Sequence, residues 1–132
     1  FFDNATLERL SQQIDPEIPP SLNYYPLNSP GERFPINDPT LHPRLTPTPE
    51  DPLDFLREML WGIAHIEHQG YELLETLGTS PLKRVYTSGG GARNAAWRSM
   101  RSKLLQKPIK TAAHTEAAVG SAYLALGQLE QG

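Results

Sequence analysis

Three consecutive glycines, Gly89-Gly90-Gly91, stand between a short apolar run and a stretch with a helical pattern. Successive glycines cost conformational entropy, so a chain uses them where the backbone needs unusual angles or where another group must approach it closely. A helix that begins directly after such a turn presents free N–H groups and a partial positive charge, which suits a nucleotide. A tight turn without a ligand has the same local pattern, and the glycines alone leave both interpretations open.

Two familiar nucleotide-binding motifs do not fit these glycines. A P-loop ends in Gly-Lys-Ser/Thr, whereas here the glycines lead into Ala92-Arg93-Asn94. A dinucleotide-binding fingerprint needs a glycine at the position of Asn94 and an acidic residue about 20 positions further on, where Lys110 lies instead. Any nucleotide site at this turn is therefore of another kind.

Strand and helix patterns alternate around the glycines in the last third of the chain. Residues 84–87 indicate a short strand, and a helix is expected from about Asn94 to Leu105. Residues 108–110 can open a second short strand, and a final helix is expected over about 115–129 with Thr115 as its cap. This strand–helix–strand–helix order predicts α/β architecture.

A long helix is predicted before that unit, over residues 52–77. Asp51 is a capping residue and Pro52 suits the first helical position, while Gly78 is a natural stop. Gly70 is a weak point inside the helix. The apolar residues that can share one face are Leu56, Met59, Leu60, Ile63, Leu74 and Leu77.

The first part of the chain has a different character. A short helix is expected within residues 1–14, with Leu7, Leu10 and Ile14 on one face, and Pro16 would end it. Residues 15–52 hold every proline except two, which disfavours regular helix and central strand. The composition fits a disordered linker, but recurring apolar and aromatic residues favour an extended, ordered segment with a short strand pair around Pro30-Gly31. We therefore divide the chain into a proline-rich part, 1–51, and a second part, 52–132.

Four blocks of the sequence resemble the FGGY carbohydrate kinases. Residues 89–97 are similar to the family's adenosine motif, roughly Gly-Gly-Gly-Ala-x-Asn-x-x-Trp. Residues 104–109 resemble its Leu-Gly-x-Pro-Val step, with Gln106 in place of the usual glycine, and residues 115–125 resemble its closing Thr-Glu-Ala-Ala-x-Gly helix. Residues 24–27 and 30–35 are similar to the branch of xylulose- and ribulose-kinase-like proteins.

The resemblance implies a fold and a set of nucleotide-binding residues. The fold would be the C-terminal part of an actin-like ATPase lobe of the ribonuclease H-like kind, helix-rich with short strands. Gly90 and Gly91 would let the purine and ribose lie against bare backbone, and Asn94 would offer its amide to the adenine or ribose. Trp97 would wall the adenine pocket, with ordinary core packing as the alternative. The implied adenosine-binding residues are Gly89, Gly90, Gly91, Asn94 and Trp97.

The resemblance also implies a function, a fragment of an ATP-dependent carbohydrate kinase acting on a ketopentose such as ribulose or xylulose. ATP with Mg²⁺ would be the cofactors, and the missing N-terminal lobe would be the partner. Phosphoryl transfer needs a base, metal-holding carboxylates and donors around the γ-phosphate, which the family supplies elsewhere. We therefore expect no catalytic residue and no metal ligand in this chain, and no transfer by the chain alone. The alternative is a non-catalytic nucleotide-binding or scaffold module.

Bulk properties and the remaining polar residues disfavour other classes. The 132 residues carry a formal net charge of −3 and no cysteine, and no apolar run approaches the roughly 20 residues of a membrane helix. His65 and His68 do not match the zinc-protease pattern, so a solvated face is expected there. The basic residues between Lys83 and Lys110 lack interleaved aromatics, which favours a solvated helix face over nucleic-acid binding. We expect a cytoplasmic protein and, without an initiator Met, a chain that starts inside a longer one.

Overall fold

The structure, a computed structural model, describes residues 2–113 and 117–126. Its elements are α1 (Asn4–Ser11), α2 (Pro52–Thr76), β1 (Val85–Thr87), a 3₁₀ turn (Gly90–Arg93), α3 (Ala95–Leu105), β2 (Ile109–Thr111) and α4 (Ala117–Ala125). The α/β architecture is confirmed, with the predicted order of strand, helix, strand and helix in the last third. The predicted cap Thr115 and the predicted helix end beyond residue 126 lie outside the described residues.

The two strands form a parallel sheet that brings their carboxyl ends together. Val85 lies opposite Ile109 and Thr87 lies opposite Thr111, and α3 makes the crossover between the strands. The N–H of Ala112 donates to the carbonyl of Thr87 at 2.9 Å, which extends the pairing by one step. Because ligands of open parallel sheets bind beyond the carboxyl ends of the strands, the glycines after β1 stand at the edge where a site is expected.

The hydrophobic core lies where α1, α2 and α3 meet. Its buried members are Leu10, Ile14, Leu56, Trp61 and Met100, and Met100 is completely buried. The predicted apolar face of the first 14 residues is thus confirmed. The helix itself ends at Ser11, so Ile14 enters the core from the turn that follows the helix.

Local signals fix both ends of α2 as predicted. The Asp51 side chain accepts from the N–H of Leu53 at 2.9 Å, Pro52 occupies the first turn, and Gly78 has a φ of 98° just after the end. Only part of the predicted apolar face meets the core. Leu56 is buried there, and Met59 and Leu60 pack against it. The remaining members, Ile63, Leu74 and Leu77, are exposed, and Leu77 lies just after the end of α2.

The proline-rich segment packs on α2 but does not form the predicted strand pair. Isolated antiparallel bridges join Tyr25 to Arg44 and Glu32 to Asp38, so the chain reverses between Glu32 and Asp38. The prediction of a reversal at Pro30-Gly31 is wrong. Gly31 lies within the paired region, where its N–H donates to the carbonyl of Leu41 at 2.9 Å. The Glu32 carboxylate accepts from the backbone N–H of Arg33 at 2.8 Å and so closes the start of the turn.

Polar contacts from α2 fix the beginning of this segment. The buried Glu58 carboxylate accepts from the N–H of Ser21 at 3.0 Å, from the Ser21 hydroxyl at 2.9 Å and from the N–H of Leu22 at 2.9 Å. The Trp61 indole N–H donates to the carbonyl of Ile18 at 3.1 Å. Because a buried carboxylate needs several donors to offset its lost hydration, this cluster specifies where residues 18–22 lie.

Two glycines of α2 let the same segment cross the helix closely. A Cβ on Gly62 would lie 2.9 Å from the Tyr24 carbonyl oxygen and 2.9 Å from Cδ of Pro26. A Cβ on Gly70 would lie 3.0 Å from the Phe34 ring. The predicted weak point at Gly70 is therefore a packing position, where the absence of a side chain admits an aromatic ring from residues 22–41.

Candidate nucleotide-binding site

The glycine turn connects β1 to α3 through a tight reversal. Gly89 has a φ of 75° and a ψ of −166°, a conformation that favours glycine. The N–H of Ala92 donates to the carbonyl of Gly89 at 3.1 Å, and the N–H of Asn94 donates to the carbonyl of Gly91 at 3.2 Å. These bonds form the 3₁₀ turn that precedes the first residue of α3, and they aim the helix N-terminus at the carboxyl edge of the sheet.

The three glycines have three different surroundings. A side chain on Gly91 would overlap the ring of Trp97, so close packing explains that glycine. The positive φ explains Gly89. Gly90 has neither feature. Apart from Gly90 itself and its two chain neighbours, no atom of the described residues lies within 4 Å of a Cβ built on Gly90, and the same is true of Gly89. The space beside Gly90 is therefore open.

Asn94 is the N-cap of α3. Its side-chain oxygen accepts from the N–H of Trp97 at 3.0 Å, and its amide nitrogen donates to the Ser11 hydroxyl at 2.9 Å. Both ends of the side chain thus contact the chain itself, which ties the turn to the end of α1. An amide oxygen has a second lone pair and an amide nitrogen a second hydrogen, so the predicted contact with adenine or ribose stays a prediction.

Trp97 lies beside the turn, outside the five-residue core cluster. Its half-buried ring contacts Gly91, and the Arg101 guanidinium lies 4.9 Å from the ring centroid. The indole nitrogen is buried and has no hydrogen-bond partner among the residues that the structure describes. A buried N–H without a partner costs about 1–3 kcal/mol. The Tyr25 hydroxyl and Nε of Arg57 are also buried without a partner among the described residues.

Arg101 is the site residue that the sequence analysis missed. The prediction placed it on a solvated basic face, but its side chain is 7% exposed and bonded to Glu67 of α2. Hydrogen bonding to Glu67 raises the pKa of Arg101 above its ordinary value, against the opposing effect of burial. The two residues are 34 positions apart, so no local pattern pairs them.

Other basic residues of α3 also have partners. Lys103 forms an ion pair with Glu17, and the Arg98 guanidinium donates to the Thr111 hydroxyl at 2.6 Å. These residues are more exposed than Arg101, as predicted for this face. They connect α3 to the turn that follows α1 and to β2. Within the described part of the chain, they are not interleaved with a row of aromatic side chains.

The two histidines of α2 are engaged locally. Nδ1 of His65 lies 2.9 Å from the Trp61 carbonyl oxygen, and Nδ1 of His68 lies 3.3 Å from the Glu72 carboxylate. Within residues 2–113 and 117–126, no group of three or more His, Cys, Asp or Glu side chains could hold a metal ion. Among the same residues, every helix is too short or too polar to span a bilayer.

Comparison with known protein families adds an independent finding. The family model for the C-terminal domain of the FGGY family of carbohydrate kinases matches residues 3–129. The match includes the proline-rich segment, α2 and the glycine turn with its strand and helix. That domain is the C-terminal lobe of the actin-like ATPase fold, which agrees with the helices and short parallel sheet described above. The chain therefore belongs to the FGGY family of carbohydrate kinases, as their C-terminal domain.

Proposed function

We propose that residues 89–97 bind the adenosine of ATP in a kinase whose acceptor is a ketopentose such as ribulose or xylulose. The observation that carries the adenosine assignment is the open space at Gly90 beside the half-buried ring of Trp97. Both lie at the start of a helix and beyond the carboxyl end of a parallel strand, where the dipole and the free N–H groups favour a nucleotide.

Each residue of the turn has a definite part in this proposal. The conformation of Gly89 starts the reversal, and Gly90 leaves its backbone bare for the ribose or purine. Gly91 allows the Trp97 ring to pack against the turn, where the ring forms a wall of the adenine pocket. Asn94 caps the helix and uses its remaining hydrogen-bonding capacity toward the adenine or ribose.

The phosphate end of the nucleotide belongs to other parts of the complete enzyme. Kinases of this family use ATP with Mg²⁺, and the metal neutralises charge on the phosphates during transfer. The proposal assigns the base and the metal ligands to the N-terminal lobe and to the earlier part of the second lobe. The 132-residue chain by itself then binds no acceptor and transfers no phosphate. We also propose that the enzyme works in the cytoplasm. The division of the chain at residue 51 stays a prediction.

The ketopentose assignment has a different basis. It rests on the similarity of residues 24–27 and 30–35 to the xylulose- and ribulose-kinase-like branch. In the structure these residues belong to the segment that crosses α2 at Gly62 and Gly70. The acceptor assignment can therefore fail while the adenosine assignment stands.

Photolabelling with 8-azido-ATP tests the adenosine assignment directly. The complete enzyme is irradiated with the probe, digested with trypsin and analysed by mass spectrometry. Cleavage after Arg84, Arg93 and Arg98 places the turn in two short peptides, residues 85–93 and 94–98. We expect the label in one or both, and we expect excess ATP, but not sugar, to prevent it. Label confined to other peptides would contradict the assignment.

A panel of sugar acceptors tests the ketopentose assignment and the kinase activity itself. We expect ribulose or xylulose to give the highest kcat/KM of the complete enzyme, and glycerol, gluconate and aldohexoses to give lower values. A preferred triol or hexose would contradict the ketopentose assignment. An enzyme that is labelled by the probe but phosphorylates no sugar would support the non-catalytic module instead. Any ATP-dependent phosphorylation by the purified 132-residue chain would contradict its predicted inactivity.

A further inference from the structure

A partly buried ion pair lies against Trp97 of the proposed adenosine site. Nε of Arg101 donates to one oxygen of the Glu67 carboxylate at 2.6 Å, and Nη2 donates to the other oxygen at 2.6 Å. Nη1 donates to the hydroxyl of Thr87, the last residue of β1, at 3.2 Å. The same guanidinium lies 4.9 Å from the centroid of the Trp97 ring. One side chain thus joins α2, β1 and the tryptophan beside the glycine turn.

We infer that Arg101, oriented by Glu67, is a positioning residue that fixes the Trp97 ring for nucleotide binding. This inference rests on the proposed function, because it assigns a role within the same site. Arg101 does not itself contact the nucleotide in this account. It acts through Trp97, whose ring in turn packs against Gly91.

Packing alone does not require a charge at this position. A buried ion pair gives little net stability over well-packed apolar residues, because two ions must be desolvated to form it. The pair does supply orientation. The planar guanidinium forms two parallel bonds to one carboxylate and can stack on an aromatic face, which lysine cannot reproduce. Cation–π attraction then holds the indole in one place.

Trp97 needs such support because its own polar atom is unsatisfied within the described chain. Its indole N–H has no partner there, so no hydrogen bond fixes the ring before ligand binds. The guanidinium of Arg101 and the backbone of Gly91 both lie against the ring. Loss of the guanidinium therefore frees the ring, and the nucleotide must then select one orientation at a cost in affinity.

Steady-state kinetics of the complete kinase test the inference, with ATP and sugar varied in turn. Arg101→Met retains most of the unbranched apolar part of the side chain and removes the guanidinium with its charge. We expect the KM for ATP to rise roughly three- to thirtyfold, the range that corresponds to a desolvated cation–π contact. The KM for sugar and kcat at saturating ATP should change less than twofold. Arg101→Lys keeps the charge without the two parallel bonds, so its KM for ATP should lie between those of the wild type and Arg101→Met. Glu67→Gln should raise the KM for ATP about as much as Arg101→Lys does.

Lys103→Met is the matched control. It removes another α3 cation and its ion pair with Glu17, but Lys103 has no contact with Trp97 among the described interactions. We expect its KM for ATP to equal that of the wild type. A purely structural role for Arg101 predicts lower melting temperatures for its variants with an unchanged KM for ATP, measured well below melting. If Arg101→Met does not fold, Arg101→Lys and Glu67→Gln carry the same test.

The outcomes separate this inference from the proposed function. An unchanged KM for ATP in all three variants, together with a raised value in Gly90→Val, would overturn the positioning role and leave the adenosine site in place. Unchanged ATP affinity in every one of these variants, Gly90→Val included, would overturn both. A rise in Lys103→Met as large as that in Arg101→Met would also overturn the positioning role.

Discussion

Glycines serve opposite purposes in two regions of this domain. Gly62 and Gly70 of α2 lie under residues of the proline-rich segment, and a Cβ on either would come within about 3 Å of another atom of the chain. Gly90 lies in a turn where no described atom comes within 4 Å of the same built position. The first region is closed by the chain itself, whereas the second is open. The difference separates glycines that the packing of the chain requires from one that it does not require.

Buried polar groups do not divide in the same way. The buried Glu58 carboxylate and the Trp61 indole N–H both find partners in residues 18–22 of the segment. The buried side-chain atoms without a partner among the described residues are the Tyr25 hydroxyl, Nε of Arg57 and the Trp97 indole nitrogen, so both regions contain them. A missing hydrogen-bond partner alone therefore does not mark a binding site.

Substituting valine at one glycine of each region gives the strongest test of the division. Gly62→Val places carbon atoms against the Tyr24 carbonyl oxygen and Pro26, so we expect a loss of about 1–3 kcal/mol, as for other overpacked positions. Gly90→Val meets no described atom and should leave the melting temperature within about 1 °C of the wild type. Differential scanning fluorimetry of the complete enzyme measures both. Equal destabilisation by the two variants would remove the distinction.

Loss of the buried carboxylate should have the next largest effect. Glu58→Gln replaces an acceptor with a donor next to the N–H groups of Ser21 and Leu22, which leaves a buried donor unsatisfied at a cost of about 1–2 kcal/mol. Hydrogen exchange should report the change locally, as faster exchange of these two amides. Glu72→Gln is the control, because Glu72 is exposed and pairs only with His68 among the described ion pairs. Unchanged exchange in Glu58→Gln would show that the carboxylate does not anchor the segment.

Asn94 belongs to both parts of the comparison, since it has a structural role in the turn that we propose binds adenosine. Asn94→Ala removes the helix cap and should cost about 1 kcal/mol of stability, while Asn94→Ser retains a capping oxygen and should cost less. Both variants remove the amide, so both should raise the KM for ATP several-fold to about tenfold if one or two hydrogen bonds to the nucleotide are lost. The turnover number should fall less, because such contacts hold the ground and transition states alike. A wild-type KM in Asn94→Ser would limit the residue to its role as a cap.

Local sequence signals predicted the elements whose causes are local. Asp51-Pro52 and Gly78 marked both ends of α2, and the strand, glycine turn and helix around residues 85–105 followed from composition and spacing. The chain reversal was misplaced because Pro30-Gly31 has turn residues, whereas backbone hydrogen bonds between Glu32 and Asp38 close the reversal just after them. Turn composition alone does not reveal which backbone groups pair across a reversal.

The interactions that the sequence did not predict join residues far apart in the chain. Arg101 and Glu67 are separated by 34 positions, and Phe34 reaches Gly70 from the other half of the molecule. The motif at residues 89–97 indicated a nucleotide, yet it did not show that Gly91 accommodates Trp97 or that Asn94 caps α3 toward Ser11. A motif gives the residue types at a site, whereas the division of labour among them depends on tertiary packing.

Binding of a non-hydrolysable ATP analogue to Gly90→Val in the complete enzyme tests the central claim most directly. Isothermal titration calorimetry is run with the analogue and separately with the preferred sugar, for wild type and variant. If adenosine lies beside Gly90, the valine side chain occupies the same space. We therefore expect the variant to lose about tenfold or more of its affinity for the analogue, with sugar affinity and melting temperature unchanged. Wild-type affinity for the analogue in a normally folded Gly90→Val enzyme would contradict the assignment of this turn to adenosine.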